Sequence, residues 1–317
     1  MKKRLCSGVA GIALAGIFLF AAPANAATEF GSNCTAEEAL GGTALVSLSH
    51  GPTSPLPIAA PTSGVITRWK TTVGFEVPPE ASAIYAQRMQ VLRSTSLPSQ
   101  FLVVGESTPG AISTGVNSFP TRVPIQAGDR LGLRGPFVSV YCIPGGTADV
   151  VGLAETEGGT PVGSAFNVTP VPTIQVPLAA VIEPDADNDS YGDETQDGCP
   201  QSAAYQTPCP VITLATFSQA GSKAVTVSVT TSLSAPVTVS GSVKLNKKTT
   251  AKLKAVTAGV TPGGIGKFKL QFPSSLQKRL NELTPKQKLT LKLTASAANI
   301  AGPASTSSIN AKLKGQG

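Results

Sequence analysis

The sequence has a single histidine, His50, and this scarcity excludes several common kinds of catalytic site. Serine and cysteine triads and most catalytic zinc sites need a histidine beside other reactive groups, and no such motif surrounds His50. G-x-S-x-G, Walker and dinucleotide-binding glycine patterns are also absent from the sequence. We therefore expect a protein that is not an enzyme. A hydrolase with a carboxylate pair, such as Glu76 and Glu80 or Glu155 and Glu157, stays open, but acidic pairs are too common to support it.

Aromatic side chains make up only 5% of the residues and charged side chains only 14%, whereas the 317 residues include 32 glycines and 26 prolines. This composition, with its many threonines, valines and alanines, favours short strands joined by turns and leaves little material for long helices. The sole tryptophan, Trp69, is interpreted as a core or rim residue rather than as a sugar-stacking platform. At about 100–200 residues per domain, the chain is expected to form about two all-β domains.

The N-terminus has the pattern of a secretory signal peptide. Basic residues at positions 2–4 precede an apolar run over 7–22, and Ala-Asn-Ala at 24–26 supplies the small residues that a signal peptidase needs. Cleavage is therefore predicted near Ala26, with secretion of the rest of the chain. The apolar run is too short for an anchor, and no later segment approaches about 20 apolar residues, so no transmembrane segment is expected.

Four cysteines follow the predicted cleavage point: Cys34, Cys142, Cys199 and Cys209. An even number of cysteines in an exported chain indicates disulfides rather than reactive thiols. Of the three possible pairings, we favour Cys34–Cys142 with Cys199–Cys209, because each bond then stays within one structural unit. A zinc site made of all four cysteines is disfavoured, since the sequence has no C-x-x-C pair.

Residues 27–160 contain about eight short apolar stretches separated by turn residues, which predicts a jelly-roll-like β-sandwich. Within this range, Val123–Leu133 is predicted to be a hairpin whose Gly-Asp turn joins two alternating strands. Residues 161–184 are rich in proline, which fixes φ and removes a hydrogen-bond donor. This range is therefore predicted to be an extended linker or an edge strand.

Residues 211–317 show a sharper alternation of apolar and polar residues. Seven predicted strands in about a hundred residues fit an immunoglobulin-like sandwich. Ser274–Leu283 is the one predicted helix, because its leucines repeat on one face and a proline follows.

The formal net charge of +7 hides a sharp division of charge along the chain. Residues 27–183 hold 7 basic and 11 acidic side chains, residues 184–210 hold 6 acidic and no basic ones, and residues 211–317 hold 15 basic and 1 acidic. The lysines of the last range fall largely opposite its apolar positions. They form either a soluble outer face or a patch for anionic cell-wall polymers or glycans. Nucleic acid is not expected as a partner, since the chain is exported and this range has almost no arginine.

The acidic segment at 185–197 is the one part of the sequence whose spacing indicates a chemical site. It places carboxylates at its positions 1, 3, 5, 9 and 13, and position 7 normally contributes a backbone carbonyl. A hard cation such as Ca²⁺ takes six to eight oxygen ligands, and a D-x-D-x-D turn brings alternate side chains onto one centre. We therefore predict a calcium site rather than a solvated acidic linker. The predicted ligands are Asp185, Asp187, Asp189, Tyr191, Asp193 and Asp197.

The run from Asp185 to Pro200 resembles a thrombospondin type 3 calcium repeat, which has a D-x-D-x-D-G-x-x-D core followed by a cysteine. The resemblance extends through Pro210, and it implies a calcium loop at 185–210 that serves as a stiff spacer between β-domains. Two positions depart from the repeat. Ser190 stands where the repeat usually has glycine, and Gln196 stands where an acidic ligand is expected, so Asp197 or Glu194 would complete the site.

Together these features predict a secreted, non-catalytic, calcium-binding protein that acts outside the cell or at its surface. The N-terminal sandwich would recognise or display a ligand, the calcium loop would set the geometry, and the basic C-terminal sandwich would contact anionic envelope material. The alternative is a carbohydrate-binding protein that acts through the N-terminal sandwich. The whole arrangement is similar to exported bacterial proteins built from such modules.

Overall fold

The computed structural model describes residues 26–41, 43–49, 51, 55–81, 84–135, 137–143, 148–155 and 160–317. Residues 1–25 of the predicted signal peptide lie outside this part of the chain, and so does His50. Strands dominate the described residues, which contain a single α-helix, and no described helix is long and apolar enough to span a membrane. The predicted all-β class is confirmed.

The described residues up to 183 form fourteen strands. The strands are β1 Thr28–Gly31, β2 Thr35–Ala36, β3 Glu38–Gly41, β4 Thr43–Ser49, β5 Gly64–Val73, β6 Arg88–Ser94, β7 Gln100–Glu106, β8 Gly115–Ile125, β9 Arg130–Arg134, β10 Val138–Tyr141, β11 Val150–Glu155, β12 Ala165–Asn167, β13 Thr169–Pro172 and β14 Ala179–Glu183. A short 3₁₀ helix spans Pro79–Ala81. Eleven of these strands, β1–β11, lie within residues 27–160, where about eight were predicted, because several strands, such as the two-residue β2, are too short to show alternation.

Two large sheets build the N-terminal sandwich. One has the order β1-β14-β5-β2, with β8 also paired to β5, and the other has the order β12-β7-β6-β9-β4-β11-β13. β3 and β10 form a separate two-stranded sheet. Among the described strands, all pairings are antiparallel except that of β2 with β5. The shared core of the two large sheets includes Phe30, Ile66, Trp69 and Ile182 from the first sheet and Leu45, Met89 and Leu133 from the second.

Trp69 lies inside this core and is only 1% exposed. Its ring packs on Phe119, with 4.4 Å between the ring centroids. The interpretation of Trp69 as a core residue is therefore confirmed, and its indole does not offer a stacking surface for a sugar.

Of the two alternatives predicted for residues 161–184, the edge strand is confirmed for β12 and β13, which lie at the two ends of their sheet, whereas β14 is an inner strand and no part of the range is a free linker. These residues supply β12, β13 and β14, and β14 pairs with β1 on one side and β5 on the other. The prolines of this range do not interrupt β14, whose sequence is Ala-Ala-Val-Ile-Glu, and β13 carries two prolines at the edge of its sheet. Proline is tolerated at a sheet edge because its missing N–H has no partner there.

The predicted hairpin over Val123–Leu133 is wrong in its pairing, although its strands and turn are present. β8 pairs with β5 in the first sheet, whereas β9 pairs with β4 and β6 in the second. The chain therefore crosses from one sheet to the other at the turn. Asp129 holds this turn, because its carboxylate accepts a hydrogen bond from the Gln126 N–H at 2.9 Å and is 2% exposed.

Residues 211–317 form the seven predicted strands, which are joined by turns, one α-helix and one short 3₁₀ helix. The strands are β15 Ile212–Ala220, β16 Ala224–Thr231, β17 Ala235–Lys244, β18 Thr250–Val260, β19 Gly266–Gln271, β20 Lys288–Ala297 and β21 Thr306–Lys314. β15-β16-β19 form one sheet and β18-β17-β20-β21 form the other. The alternating apolar residues of both sheets, such as Val227 and Leu291, meet in one core.

The predicted helix is present as α1, Ser274–Glu282. Leu276 and Leu280 are fully buried in the C-terminal core, and Leu283 is 7% exposed. The helix forms where leucines recur at helical spacing, and it ends before the strand-forming segment of β20. A second 3₁₀ helix spans Pro303–Ser305.

Both predicted disulfides are confirmed. Cys34 is bonded to Cys142 with 6.2 Å between their Cα atoms, and Cys199 is bonded to Cys209 with 4.8 Å between theirs. The first bond closes a separation of 108 residues within the N-terminal sandwich, and the second closes a separation of 10 residues beside the C-terminal core.

Candidate metal centre

The acidic segment is wrapped into a tight loop directly after β14. The Asp185 carboxylate accepts hydrogen bonds from the backbone N–H groups of Asp189 and Ser190, each at 3.0 Å. Asn188 and Ser190 have φ angles of 60° and 69°. A positive φ is costly for most side chains, which explains why the resembling repeats have glycine at the position of Ser190. Ser190 nevertheless adopts this positive-φ conformation here.

The carboxylates of this loop converge on one centre. Oxygens of Asp185, Asp187 and Asp189 lie within 4.8 Å of one another, so this cluster could hold a metal ion. Burial and the nearby charges of Asp189 and Asp197 raise the pKa of Asp187. Burial and the charges of Asp185 and Asp197 likewise raise the pKa of Asp193. Asp193 and Asp197 therefore lie close enough to the three clustered carboxylates for their charges to interact with them.

Two oxygens at this centre are buried without a hydrogen-bond donor among the described residues. They are Oδ2 of Asp187 and Oδ2 of Asp197. Asp197 is only 6% exposed, and its other oxygen accepts a hydrogen bond from the Cys199 N–H at 2.7 Å. A buried carboxylate oxygen without a donor is costly, and a bound cation would remove that cost.

Tyr191 and Glu194, the other residues considered as ligands, differ in how they are placed relative to the carboxylates. The Tyr191 ring packs below the Arg122 guanidinium of β8, 4.0 Å from ring centroid to Cζ, so the side chain is engaged outside the loop. Its backbone carbonyl stays the predicted ligand. Glu194 is exposed, and its carboxylate accepts a hydrogen bond from the Ala27 N–H at 2.6 Å. Of the two residues that could complete the site, Asp197 therefore lies with the other carboxylates and Glu194 points away from them.

Glu183 anchors the loop, although the sequence pattern did not predict this role. This last residue of β14 is 2% exposed and accepts four hydrogen bonds. The donors are the Thr67 hydroxyl at 2.8 Å, the Thr195 hydroxyl at 2.7 Å, the Thr195 N–H at 2.8 Å and the Glu194 N–H at 3.0 Å. Burial by itself would raise the pKa of Glu183, but these hydrogen bonds outweigh burial and lower the pKa overall. The one sequence feature that could have indicated this role is an acidic residue at the end of an otherwise apolar strand.

Further contacts attach the loop on both of its sides. Gly192 lies so close to the sandwich that a Cβ there would stand 2.5 Å from atoms of both Glu183 and Thr67. Only glycine permits this approach. The Gln196 amide donates to the Thr121 carbonyl at 2.7 Å, and the Gln206 amide donates to Asp189 at 2.8 Å.

The segment after the loop contacts the C-terminal sandwich. Cys199 is fully buried and belongs to the core formed by β15–β21. The Ser202 hydroxyl donates to the Asn299 carbonyl at 3.2 Å, and the Tyr205 hydroxyl donates to the Ser234 carbonyl at 3.3 Å. The acidic loop is thus fastened to the N-terminal sandwich, and the disulfide that follows it is fastened to the C-terminal one.

A cleft of ≈ 670 Å³ separates the loop from the N-terminal sandwich. Its loop side is formed by Asp185, Asn188 and Ser190. On the opposite side lies Arg93, whose Nε and Nη2 each donate to the Asp129 carboxylate at 2.8 Å. The cleft has the volume of a small-molecule site and a mainly polar lining.

The carboxylate pairs that could serve a hydrolase gain no support from the described residues. Glu76 and Glu80 are both exposed. The side chain of Glu155 and the whole of Glu157 lie outside the part of the chain that the structure describes.

Comparisons with known proteins give only distant similarity. No protein-family model and no curated protein matches this chain. Among solved structures, it is similar to the GH2 beta-galacturonidase from Eisenbergiella tayi, with 8% identity, a TM-score of 0.21, and coverage of 88% of this chain and 43% of that one. It is also similar to the Faecalibacterium prausnitzii beta-glucuronidase, with 15% identity, a TM-score of 0.20, and coverage of 91% and 46%. For the beta-D-mannosidase from Dictyoglomus thermophilum, the identity is 10%, the TM-score 0.21 and the coverage 87% and 36%.

The chain therefore spans less than half the length of each of these enzymes. TM-scores this low do not establish a shared fold, so the names of these enzymes carry no weight for the activity of this chain. The acidic loop and the surfaces around it are the features that bear on its function.

Proposed function

We propose that this chain is a secreted, non-catalytic protein that binds one Ca²⁺ at residues 185–197 and associates with envelope material outside the cell. The observation that carries the calcium proposal is the convergence of the Asp185, Asp187 and Asp189 carboxylates, together with buried oxygens of Asp187 and Asp197 that have no hydrogen-bond donor among the described residues. The two disulfides support an oxidising, extracellular location.

The ligand chemistry favours calcium over other biological metals. The site offers carboxylates and a backbone carbonyl, and hard cations prefer such oxygen ligands. Its nearest cysteines, Cys199 and Cys209, are joined in a disulfide, so they do not offer the thiolates that zinc prefers. Magnesium demands a near-ideal octahedron and usually keeps several waters, whereas calcium accepts a crowded set of carboxylates.

Calcium would act here as a structural cross-link. Without a cation the converging charges repel, in keeping with the raised pKa values of Asp187 and Asp193. Binding would neutralise this repulsion and stabilise the loop that lies between the anchors at Glu183 and Cys199. The segment between the two sandwiches would then be stiff, which is the role implied by the resembling repeats.

Calcium is expected to raise the melting temperature of the mature protein. A single extracellular site with an incomplete ligand set should have a dissociation constant of about 10⁻⁴ M. At a hundredfold excess over that constant, binding adds about 2.7 kcal/mol to the free energy of unfolding. For a chain of this size the melting temperature should rise by about 4–5 °C. Calorimetry in calcium and in EDTA measures the shift, and titration calorimetry measures the affinity.

Three variants test the ligand set. Asp197→Asn should remove most of the calcium-dependent shift, and so should Asp187→Asn. In EDTA, Asp187→Asn should be at least as stable as the wild type, because the burial and repulsion of its charge are relieved. Glu194→Gln is the matched control, since it removes one charge from the same segment at a side chain that points away, and it should keep the shift. An unchanged melting profile and no heat of calcium binding in the wild type would refute the proposal.

Carbohydrate binding by the N-terminal sandwich is the second candidate, and the cleft beside the acidic loop is the observation that favours it. Its polar lining and the fixed guanidinium of Arg93 offer donors and acceptors to sugar hydroxyls. Trp69 does not contribute, because it is buried in the core.

A large side chain that fills the cleft should abolish carbohydrate binding by the N-terminal sandwich. Ala127→Phe places a ring at the lining of the cleft while leaving the Ala127 N–H free to donate to Ser63. Ala258→Phe, at an exposed position of β18, is the matched control. On a glycan array, the candidate predicts binding by the wild type and the control and at least a tenfold loss in Ala127→Phe. Binding that survives Ala127→Phe would rule out the cleft as the binding site.

A further inference from the structure

The strand register of the C-terminal sandwich gathers lysines on one sheet face. In β18-β17-β20-β21 the buried residues alternate with exposed ones, so the exposed residues share the outer face. We call seven residues of these strands the lysine face: Lys244, Lys252, Lys254, Lys288, Lys292, Lys312 and Lys314. All seven are exposed, and Lys247 and Lys248 extend the face into the turn between β17 and β18.

The lysines of this face lie close together across the strands. Lys288 of β20 stands directly opposite Lys314 of β21. Lys252 and Lys292 flank Ser242, which pairs with both of them. Neighbouring strands are about 4.8 Å apart, and like charges directly opposite each other destabilise a sheet. The face therefore carries a repulsion that a polyanion would relieve.

The sequence of the C-terminal sandwich supplies almost no acidic side chain to offset this charge. Glu282 is the only acidic residue after position 210, and its carboxylate pairs with Arg279 on α1 rather than with a lysine of the face. With 15 basic residues and one acidic residue over 211–317, the field at the face is strongly positive.

A groove crosses one end of the lysine face. It measures ≈ 470 Å³ and is bordered by Lys244, Lys247 and Lys288, with Asn246, Leu289 and Thr290 between them. At its rim the Lys312 ammonium donates to the Thr290 hydroxyl at 2.7 Å, which holds one charge in place. The groove gives the charged face a shape that can seat an extended chain.

We propose that the lysine face and its groove bind a linear polymer that carries repeating phosphate groups, such as a polyol phosphate chain of an envelope. The proposal rests on the proposed function, because it identifies the envelope material that this protein contacts. Arginine recognises carboxylates and phosphates through its planar fork, whereas a lysine ammonium acts as a point charge, so a face that carries only lysines suits the spaced charges of a phosphate polymer. The strands of the face contain no arginine and no aromatic side chain for base stacking, so a nucleic acid fits it less well.

The test compares two variants of equal net charge in the full mature chain. The first replaces Lys244, Lys288, Lys292 and Lys312 by glutamine, and the second replaces Lys223, Lys267, Lys269 and Lys278, which lie outside the lysine face. The probe is a synthetic poly(glycerol phosphate) chain, and binding is measured by surface plasmon resonance in low salt. We expect the first variant to lose affinity at least tenfold and the second to lose less than threefold. Wild-type binding should also fall steeply as ionic strength rises to about 0.5 M, where the screening length is a few ångströms.

Each other outcome contradicts the proposal. Equal losses in the two variants would mean that overall charge, and not this face, governs binding. Tighter binding to polygalacturonate, to anionic phospholipid vesicles or to duplex DNA than to poly(glycerol phosphate) would assign the face to a different partner. If the folded wild type does not bind poly(glycerol phosphate), the lysines serve solubility rather than binding. Since these measurements do not depend on the calcium-induced shift in melting temperature, failure here and failure of the calcium proposal are distinguishable.

Discussion

Removal of the Cys34–Cys142 bond is expected to lower the free energy of unfolding by about 4–5 kcal/mol. The reason is the separation of 108 residues between the two cysteines, since a cross-link over a long loop removes much conformational entropy from the unfolded chain. The bond ties the segment between β1 and β2 to the end of β10, and Cys142 is 2% exposed. We expect the Cys34→Ala/Cys142→Ala protein to unfold at a markedly lower guanidinium concentration.

The Cys199–Cys209 bond provides the internal comparison. Its separation of only 10 residues predicts a smaller loss, about 2.5–3 kcal/mol, when both cysteines are replaced by alanine. Guanidinium unfolding under non-reducing conditions measures both losses. Equal losses would contradict the loop-length explanation, and peptide mapping that links Cys142 to Cys199 would contradict the disulfide pairing itself.

Glu183→Ala is expected to cost about 3 kcal/mol or more, because it leaves the groups that donate to this buried carboxylate without an acceptor. Those groups are the hydroxyls of Thr67 and Thr195 and two backbone N–H groups. Hydrogen bonds to a charged group are each worth about 1.5–3 kcal/mol, although their contributions do not add fully. The variant should also bind calcium more weakly, since Glu183 fixes the backbone beside Asp193.

Two further variants make this prediction specific. Glu183→Gln keeps the size of the side chain and one acceptor oxygen. Its loss in free energy of unfolding should therefore be smaller than that of Glu183→Ala but greater than zero. Glu194→Ala removes an exposed neighbour and should change stability by less than about 0.5 kcal/mol. Guanidinium unfolding and calcium titration are the measurements. A loss below about 1 kcal/mol for Glu183→Ala would show that water replaces the carboxylate and that Glu183 does not anchor the loop.

Features that depend on local spacing could be predicted from the residues alone. Alternation of apolar and polar residues predicted the strands β15–β21, because successive side chains of a strand point to opposite faces. The leucine spacing predicted α1 within one residue of its observed end. Carboxylates at alternate positions predicted a loop whose side chains converge, and the count and placement of the cysteines predicted both disulfides.

The pairing of distant segments, in contrast, depends on the fold as a whole and could not be predicted from local spacing. The pattern of β8 and β9 predicted two strands and a turn, yet each strand pairs in a different sheet, because alternation specifies a face and not a partner. β14 became an inner strand of its sheet despite the prolines around it, since a short apolar run fits between β1 and β5. Glu183 acquired its role from Thr67, which is 116 residues earlier in the chain.

The lysine face and the cleft beside the acidic loop also depend on contacts that local spacing does not specify. The sequence showed that residues 211–317 are basic, but the register of four strands placed seven lysines on one face and shaped a groove among them. The cleft beside the acidic loop exists because the loop folds back on the N-terminal sandwich through Glu183 and Gly192. Such sites depend on contacts between residues far apart in the chain, and composition and local spacing do not contain that information.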